Sequence, residues 1–190
     1  MGLEKKLITI GGVDYALTIP ASEIQKKVKE TGMDIINKYR EKKHAPIILA
    51  ISNGGVPFAI DAIRYLDGEG FANEYASIGV EGYGKTEKVG KISVYSHPRV
   101  LLFGRDVIIL EDLIDTGHSL NFVYKYVKEK QAKSVAVYPV CKKLKHFELD
   151  FYISGVPFEL PDGWAIGYGM NDKNGFGRGL SGIYVRVESN

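Results

Sequence analysis

Short apolar runs rich in β-branched residues alternate along this chain with longer segments whose apolar positions recur at helical spacing. The clearest runs lie at 46–51 (PIILAI), 107–110 (VIIL) and 134–140 (SVAVYPV). Continuous runs of this length are typical of strands that are buried on both faces of a parallel sheet. Because helical segments separate the runs, the pattern predicts an α/β domain with a twisted parallel sheet flanked by helices.

Two elements are predicted before the first buried strand. Residues 7–19 alternate around Gly11-Gly12, which predicts a β-hairpin. Ser22, with Gln25 three positions later, has the form of a capping box and predicts a helix that begins there. The apolar stripe of that helix comprises Ile24, Val28, Ile35, Ile36 and Tyr39.

Length, charge and cysteine content narrow the class of protein. With 190 residues the chain fits one domain, and we expect a single domain over residues 1–190. A formal net charge of +2, with lysines scattered in short groups, does not indicate a nucleic-acid partner. A lone cysteine, Cys141, excludes an internal disulfide, and no apolar run approaches the roughly 20 residues of a membrane span. We therefore expect a cytoplasmic protein with no membrane or nucleic-acid partner.

Candidate chemistry is concentrated between Val107 and Leu120, VIILEDLIDTGHSL. Two acids, Glu111 and Asp112, follow the apolar run, and a turn of small residues then precedes another helix. Ligands of open α/β sheets lie beyond the carboxyl ends of the strands, and helix N-termini favour anions such as phosphate. A phosphate would repel the two acids, which suit sugar hydroxyls or the waters of a Mg²⁺ ion. The segment thus predicts a phosphorylated ribose as ligand, with a metal-dependent or receiver-like α/β protein as the alternative.

A second junction of the same kind follows the first buried strand. Asn53, Gly54 and Gly55 come directly after it, and Val56-Pro57 opens a helix. Paired glycines allow a ligand to approach the backbone closely, although a plain tight turn would have the same composition. Together with the first motif, the glycine pair predicts a pyrophosphate-binding loop at the same sheet edge.

The 107–120 segment resembles the phosphoribosyl-pyrophosphate (PRPP) motif of type I phosphoribosyltransferases. In that motif a hydrophobic strand, two acids and two apolar residues precede Asp-Thr-Gly-x-Ser/Thr. The resemblance implies that Glu111 and Asp112 bind the ribose hydroxyls and Mg²⁺, and that Asp115 is the general acid/base at purine N7. It also implies the residues that bind the 5′-phosphate, which are Thr116, Gly117, His118 and Ser119.

A later segment resembles the 6-oxopurine branch of the family. Residues 160–169, LPDGWAIGYG, are similar to Ile-Pro-Asp-Lys-Phe-Val-Val-Gly-Tyr of that branch. The match implies that Trp164 stacks on the purine, the alternative being a tryptophan of the core. It further implies that Lys142 donates to purine O6, and an ammonium, which only donates, prefers 6-oxo to 6-amino purines.

The same resemblance assigns the pyrophosphate and the second metal. Gly54, Gly55 and Arg178 are implied to contact pyrophosphate, together with Asn53 where the branch usually has lysine after a cis peptide bond. Asn171-Asp172 falls where the branch has an aspartate that binds a second Mg²⁺, which implies Asn171 or Asp172 as a metal ligand.

The chain outside these motifs is assigned to a lid and a hood. Glycines and mixed charges at about 81–91 predict a loop that resembles the flexible catalytic loop of the family, with Tyr83 as its tyrosine. The terminal segments, about 1–20 and 150–190, are expected to form a small hood over the purine in a type I phosphoribosyltransferase fold.

The function that these resemblances imply is purine salvage. The enzyme would convert hypoxanthine or guanine plus PRPP to the nucleoside monophosphate and pyrophosphate, as a homodimer or homotetramer. Two alternatives remain open: a PRPP- or nucleotide-binding regulator of the same fold, and a xanthine-preferring transferase.

Overall fold

The structure is a computed structural model that describes residues 6–82, 92–144 and 149–187. Its three helices are α1 (Ala21–Tyr39), α2 (Val56–Gly68) and α3 (His118–Glu129). Its strands are β1 (Leu7–Ile10), β2 (Val13–Ile19), β3 (Ile47–Ser52), β4 (Glu74–Gly82), β5 (Ile92–Ser96), β6 (Asp106–Ile114), β7 (Ser134–Lys143), β8 (Phe158–Leu160), β9 (Ala165–Ile166) and β10 (Ile183–Arg186). No helix in the described ranges is long and apolar enough to cross a membrane.

A six-stranded sheet in the order β5-β4-β3-β6-β7-β8 forms the centre of the molecule. All neighbours in it are parallel except β4 and β5, which pair antiparallel. The three apolar runs form β3, β6 and β7, so the predicted parallel sheet is confirmed. The carboxyl ends of these three strands meet at one edge.

Alternate residues of the central strands enter two separate cores. Ile48 and Ile108 pack with α1 and α2, whereas Ile47 and Val107 pack with α3. Burial on both faces explains why these strands are continuously apolar rather than alternating. The apolar stripe predicted for α1 is buried throughout, and Gly32 lies so close to the ring of Tyr65 on α2 that a Cβ would overlap it.

The chain termini build a second sheet in the order β1-β2-β10-β9. The hairpin β1–β2 turns at Gly11 and Gly12, which have φ of 58° and 79°, as expected for a two-residue loop. Strand β10 joins this hairpin to the segment that follows the main sheet. This sheet is built from the terminal segments that are expected to form the hood, but β8, at 158–160, belongs to the main sheet because it pairs with the end of β7.

Two local predictions were wrong. Helix α1 begins at Ala21 with Pro20 at its N-cap, so Ser22 lies inside the first turn and makes no cap; Gln25 donates to Asp61 instead, at 3.3 Å. Strand β6 continues to Ile114 instead of ending at Leu110, because β7 is long enough to pair with it at Leu113 and Ile114.

Candidate active site

The carboxyl end of β6 and the loop behind it form a small phosphate-sized pocket. The pocket has a volume of about 100 Å³, and Thr116, Gly117 and Ser119 contribute to its lining. Gly117 has a left-handed φ of 80°, and α3 begins at the next residue. His118 is exposed at that first helical position and does not line the pocket. The pocket thus combines small residues with a helix N-terminus, and both features favour the binding of an anion.

A larger pocket of about 470 Å³ lies next to the first one. Trp164, Ala165, Met170 and Asn171 form part of its wall. The side chain of Trp164 is 49% exposed, and its indole N–H donates to the backbone oxygen of Asn171 at 2.7 Å. Trp164 is therefore a pocket residue, and the alternative of a core tryptophan is wrong.

Asp115 connects the two pockets. It lines both of them, and so does Leu113 two residues earlier. Asp115 therefore lies where the two pockets adjoin, next to any group that is bound across both of them.

The lysine of the larger pocket is Lys143, which corrects the assignment of Lys142. Lys143 is buried, lines the pocket and donates to the backbone oxygens of Pro161 (3.1 Å) and Gly163. Lys142 is directed away and pairs with Glu159 of β8 at 3.0 Å. Adjacent residues of a strand point to opposite faces, so only one of the two can face the site.

Two carboxyl groups, of the half-buried Glu111 and the buried Asp112, stand near the carboxyl end of β6. Burial, reinforced by the negative charge of Asp112, raises the pKa of Glu111 well above its ordinary value. Burial also raises the pKa of Asp112, but hydrogen bonds from Glu111 and from the Leu113 N–H (2.8 Å), with the charge of Arg178, oppose that rise. The pKa of Glu111 is therefore raised further than that of Asp112, which has more groups that oppose the rise.

The glycine loop after β3 lies directly against these acids. A Cβ at Gly54 would overlap the carboxylate of Asp112, and one at Gly55 would overlap the backbone oxygen of Leu110. The Ser52–Asn53 peptide bond is cis, and Asn53 is exposed. Gly169 in turn leaves no room for a Cβ beside the backbone oxygen of Gly54. Loops from three parts of the chain thus converge at Asp112.

In the loop after β9, Asn171, Asp172 and Arg178 are joined by hydrogen bonds within the loop itself. Asp172 is buried, and its carboxylate accepts the N–H groups of Asn174 and Phe176, both at 2.8 Å, so it closes its own loop instead of facing the site. The amide oxygen of Asn171 accepts from the guanidinium of Arg178. The assignment of Asn171 or Asp172 as a metal ligand stays a prediction, with Oδ1 of Asp172 and the amide oxygen of Asn171 engaged within the loop.

Glu111 and Asp112 remain as residues that fit a divalent cation. Within the described ranges Glu111 Oε2 is a buried oxygen without a hydrogen-bond partner, which suits a ligand that brings its own donor or charge. No group of three or more His, Cys, Asp or Glu residues in those ranges could hold a metal ion. Two acids alone fit Mg²⁺, which commonly takes one or two carboxylates and completes its shell with waters and substrate phosphates.

Tyr83 and nearly all of the predicted lid lie outside the described residues. Lys143 was missed, and so was Tyr168, which has a left-handed φ of 47° and donates to Asp61 of α2 at 2.9 Å. The one feature of the sequence that could have indicated Lys143 is the alternation of side chains along a β7 that extends to residue 143. No feature of the sequence indicated the backbone conformation or the hydrogen bond of Tyr168.

Comparisons with known proteins agree with this geometry. The model of the phosphoribosyl transferase domain matches residues 20–173. The chain is 30% identical over 154 residues to hypoxanthine-guanine phosphoribosyltransferase of Bacillus subtilis, covering 80% of this chain and 83% of the relative. The enzyme of the same name from Aquifex aeolicus is 27% identical, with 93% and 97% covered. A crystal structure of a hypoxanthine-guanine phosphoribosyltransferase from Bacillus anthracis superposes with a TM-score of 0.78 at 28% identity, over 90% of this chain and 98% of that chain.

Proposed function

This chain belongs to the phosphoribosyltransferase family, in its hypoxanthine-guanine group, and from that premise we propose that it transfers the phosphoribosyl group of PRPP to hypoxanthine or guanine. The products are IMP or GMP and pyrophosphate. The observation that carries the proposal is the position of Asp115, which lines both the phosphate-sized pocket and the pocket walled by Trp164.

The sugar phosphate is bound by the end of β6 and the loop behind it. Thr116, Gly117 and Ser119 surround the 5′-phosphate, with His118 at the helix start beside them. Glu111 and Asp112 accept hydrogen bonds from the ribose hydroxyls. Binding of these donors satisfies the orphaned oxygen of Glu111 and favours loss of its proton.

The base is held in the larger pocket. Trp164 stacks on one face of the purine, and Lys143, now in the place first given to Lys142, donates to O6. An ammonium cannot accept a hydrogen bond, so the 6-amino group of adenine finds no partner there. Asp115 accepts or returns the proton at N7 while the glycosidic bond to the ribose forms.

Pyrophosphate leaves toward the loops that converge at Asp112. Gly54 and Gly55 supply close backbone approach, Asn53 stands beside them, and Arg178 supplies positive charge. Mg²⁺ bound near Glu111 and Asp112 would neutralise charge on the leaving group. We assign the exclusion of water from the activated sugar to the predicted lid.

The remaining assignments are proposed on the family resemblance alone. They are Mg²⁺ dependence, a cytoplasmic location and a homodimer or homotetramer. Activity measured against free Mg²⁺ tests the first of these, and sedimentation of the purified protein tests the last.

A panel of bases tests the function. The purified protein is incubated with PRPP, Mg²⁺ and hypoxanthine, guanine, xanthine, adenine or uracil, and nucleotide and pyrophosphate are quantified. We expect turnover with hypoxanthine and guanine and none with adenine or uracil. Turnover mainly with xanthine would change the substrate, and PRPP binding without turnover on any base would indicate a regulator instead.

A further inference from the structure

A hydrogen bond joins the proposed purine pocket to the loop that carries Arg178. Its donor is the indole N–H of Trp164, and its acceptor is the backbone oxygen of Asn171, 2.7 Å away. Stacking on a base needs only the ring of an aromatic residue. The indole N–H is not needed for stacking, and it donates to the loop instead of to the base.

The donor end of this bond is fixed by the hood sheet. The backbone oxygen of Trp164 accepts the N–H of Arg186 at 2.8 Å, and the next residue, Ala165, pairs with Val185. Trp164 thus directly precedes β9, and its backbone is held by β10 on one side. Its backbone position is therefore tied to this sheet, and the indole extends from it to the neighbouring loop.

The acceptor end leads to Arg178 in one further step. The side-chain oxygen of Asn171 accepts from one guanidinium nitrogen of Arg178, and the other nitrogen donates to the backbone oxygen of Gly169. Two of the five N–H groups of the guanidinium are used in this way, so others remain for an anionic ligand. Arg178 also lies near enough to Asp112 for its charge to lower the pKa of that carboxyl.

Resting on the proposed function, we infer that the indole N–H of Trp164 is a positioning group for Arg178. It holds the backbone of Asn171, and the side chain of Asn171 holds the guanidinium at the pyrophosphate side of the site. One residue thus has two separable roles: its ring binds the purine, and its N–H contributes to the affinity for PRPP.

Two substitutions separate these roles. Trp164→Phe keeps an aromatic ring and removes only the donor, whereas Trp164→Leu removes both. For Trp164→Phe we expect the KM for PRPP to rise about two- to tenfold, the worth of one hydrogen bond, with the KM for hypoxanthine within about twofold of wild type. For Trp164→Leu we expect both constants to rise, that for hypoxanthine by at least about fivefold.

A double-mutant cycle with Asn171 tests the route. Asn171→Ala removes the amide that Arg178 contacts but keeps the backbone oxygen that the indole contacts. If the N–H acts through Asn171, Trp164→Phe should raise the KM for PRPP much less in the Asn171→Ala background than in wild type. Equal increases in the two backgrounds would overturn the inference, as would a Trp164→Phe enzyme whose KM for PRPP is unchanged.

Fluorescence gives a second measurement that needs no change at position 164. Trp164 is the only tryptophan of the chain, so the emission reports the surroundings of this indole, which include its contact with Asn171. PRPP with Mg²⁺, added without any base, should shift the emission of wild type, and the shift should be smaller in Asn171→Ala. No shift at PRPP concentrations that calorimetry shows to be saturating would overturn the inference. A wild type that turns over no base would instead refute the proposed function.

Discussion

At the scale of single residues, the proposed roles of Asp115 and Lys143 distinguish this site from a simple phosphate-binding loop. Asp115 lines both pockets, and Lys143 is buried at the floor of the larger one. For each of them the chain has another residue of the same type that lines neither pocket, Asp150 and Lys142. The chain thus offers its own controls.

Asp115→Asn should leave PRPP binding close to wild type and lower kcat by about 10²-fold or more, because an amide cannot take the proton from the base. The measurements are steady-state turnover with guanine and PRPP binding by calorimetry. Asp150→Asn, which makes the same change in a surface ion pair with Lys125, is the control and should retain full turnover. Turnover of Asp115→Asn near the wild-type rate would contradict the assignment.

Lys143→Gln should raise the KM for hypoxanthine about ten- to hundredfold, because a charge-assisted hydrogen bond to O6 is lost. Lys142→Gln breaks only the pair with Glu159 and should change the KM less than about threefold. Kinetics of the two variants at saturating PRPP decide between them. If Lys142→Gln has the larger effect, the strand register observed here does not describe the active enzyme.

At the scale of elements, the site is an edge where three strand ends and two glycine-containing loops meet without space for side chains. Gly54 lies against Asp112, Gly55 lies against the backbone oxygen of Leu110 within β6, and Gly169 lies against Gly54. The glycines are needed here for close approach, since only Gly169 among them has a positive φ. This packing brings the glycine loop and the acid pair within reach of one ligand.

Gly54→Ala should lower kcat/KM for PRPP by about 10²-fold, because the new methyl group displaces the Asp112 carboxylate or the loop itself. The control is Gly68→Ala at the end of α2, where a Cβ would meet nothing within 4 Å. That variant should keep wild-type kinetics. Unchanged kinetics in Gly54→Ala would show that the loop relaxes at no cost and has no part in binding PRPP.

At the scale of the whole molecule, the fold encloses the neighbouring carboxyl groups of Glu111 and Asp112, and the pKa of each is raised by burial. The pKa of Glu111 is raised by burial first and by Asp112 second. A group whose pKa is higher in the folded than in the unfolded chain stabilises the fold at low pH. That contribution is lost as the pH rises from the ordinary carboxyl range near 4 through the raised pKa.

Glu111→Gln should therefore flatten the decline of unfolding free energy with rising pH, because a neutral amide replaces the group that must ionise. Urea unfolding of metal-free and ligand-free protein, measured from about pH 5 to pH 8, is the test. Glu129→Gln, an exposed position on α3, should run parallel to wild type. Parallel curves for Glu111→Gln and wild type would contradict the raised pKa, whereas PRPP binding should weaken in this variant in either case.

The sequence by itself determined the elements whose signals are local. Continuous apolar runs predicted β3, β6 and β7, the Gly11-Gly12 pair predicted the hairpin, and the Asp-Thr-Gly turn predicted the phosphate loop. Each of these signals extends over a few neighbouring residues, and it follows directly from side-chain period or turn chemistry. The family resemblance added the purine pocket and Trp164, which lines it.

Only the tertiary structure decided which of several neighbouring side chains faces the site. Pairing of β7 with β6 and β8 directs Lys143 toward the pocket and Lys142 away from it. In the loop that Asp172 closes, the side-chain oxygen of Asn171 accepts a hydrogen bond from Arg178. A shift of one residue reverses the face of every side chain in a strand, and the register depends on partners far away in the sequence. The contact of Trp164 with Asn171 has the same origin, because it depends on how the hood sheet seats one loop against another.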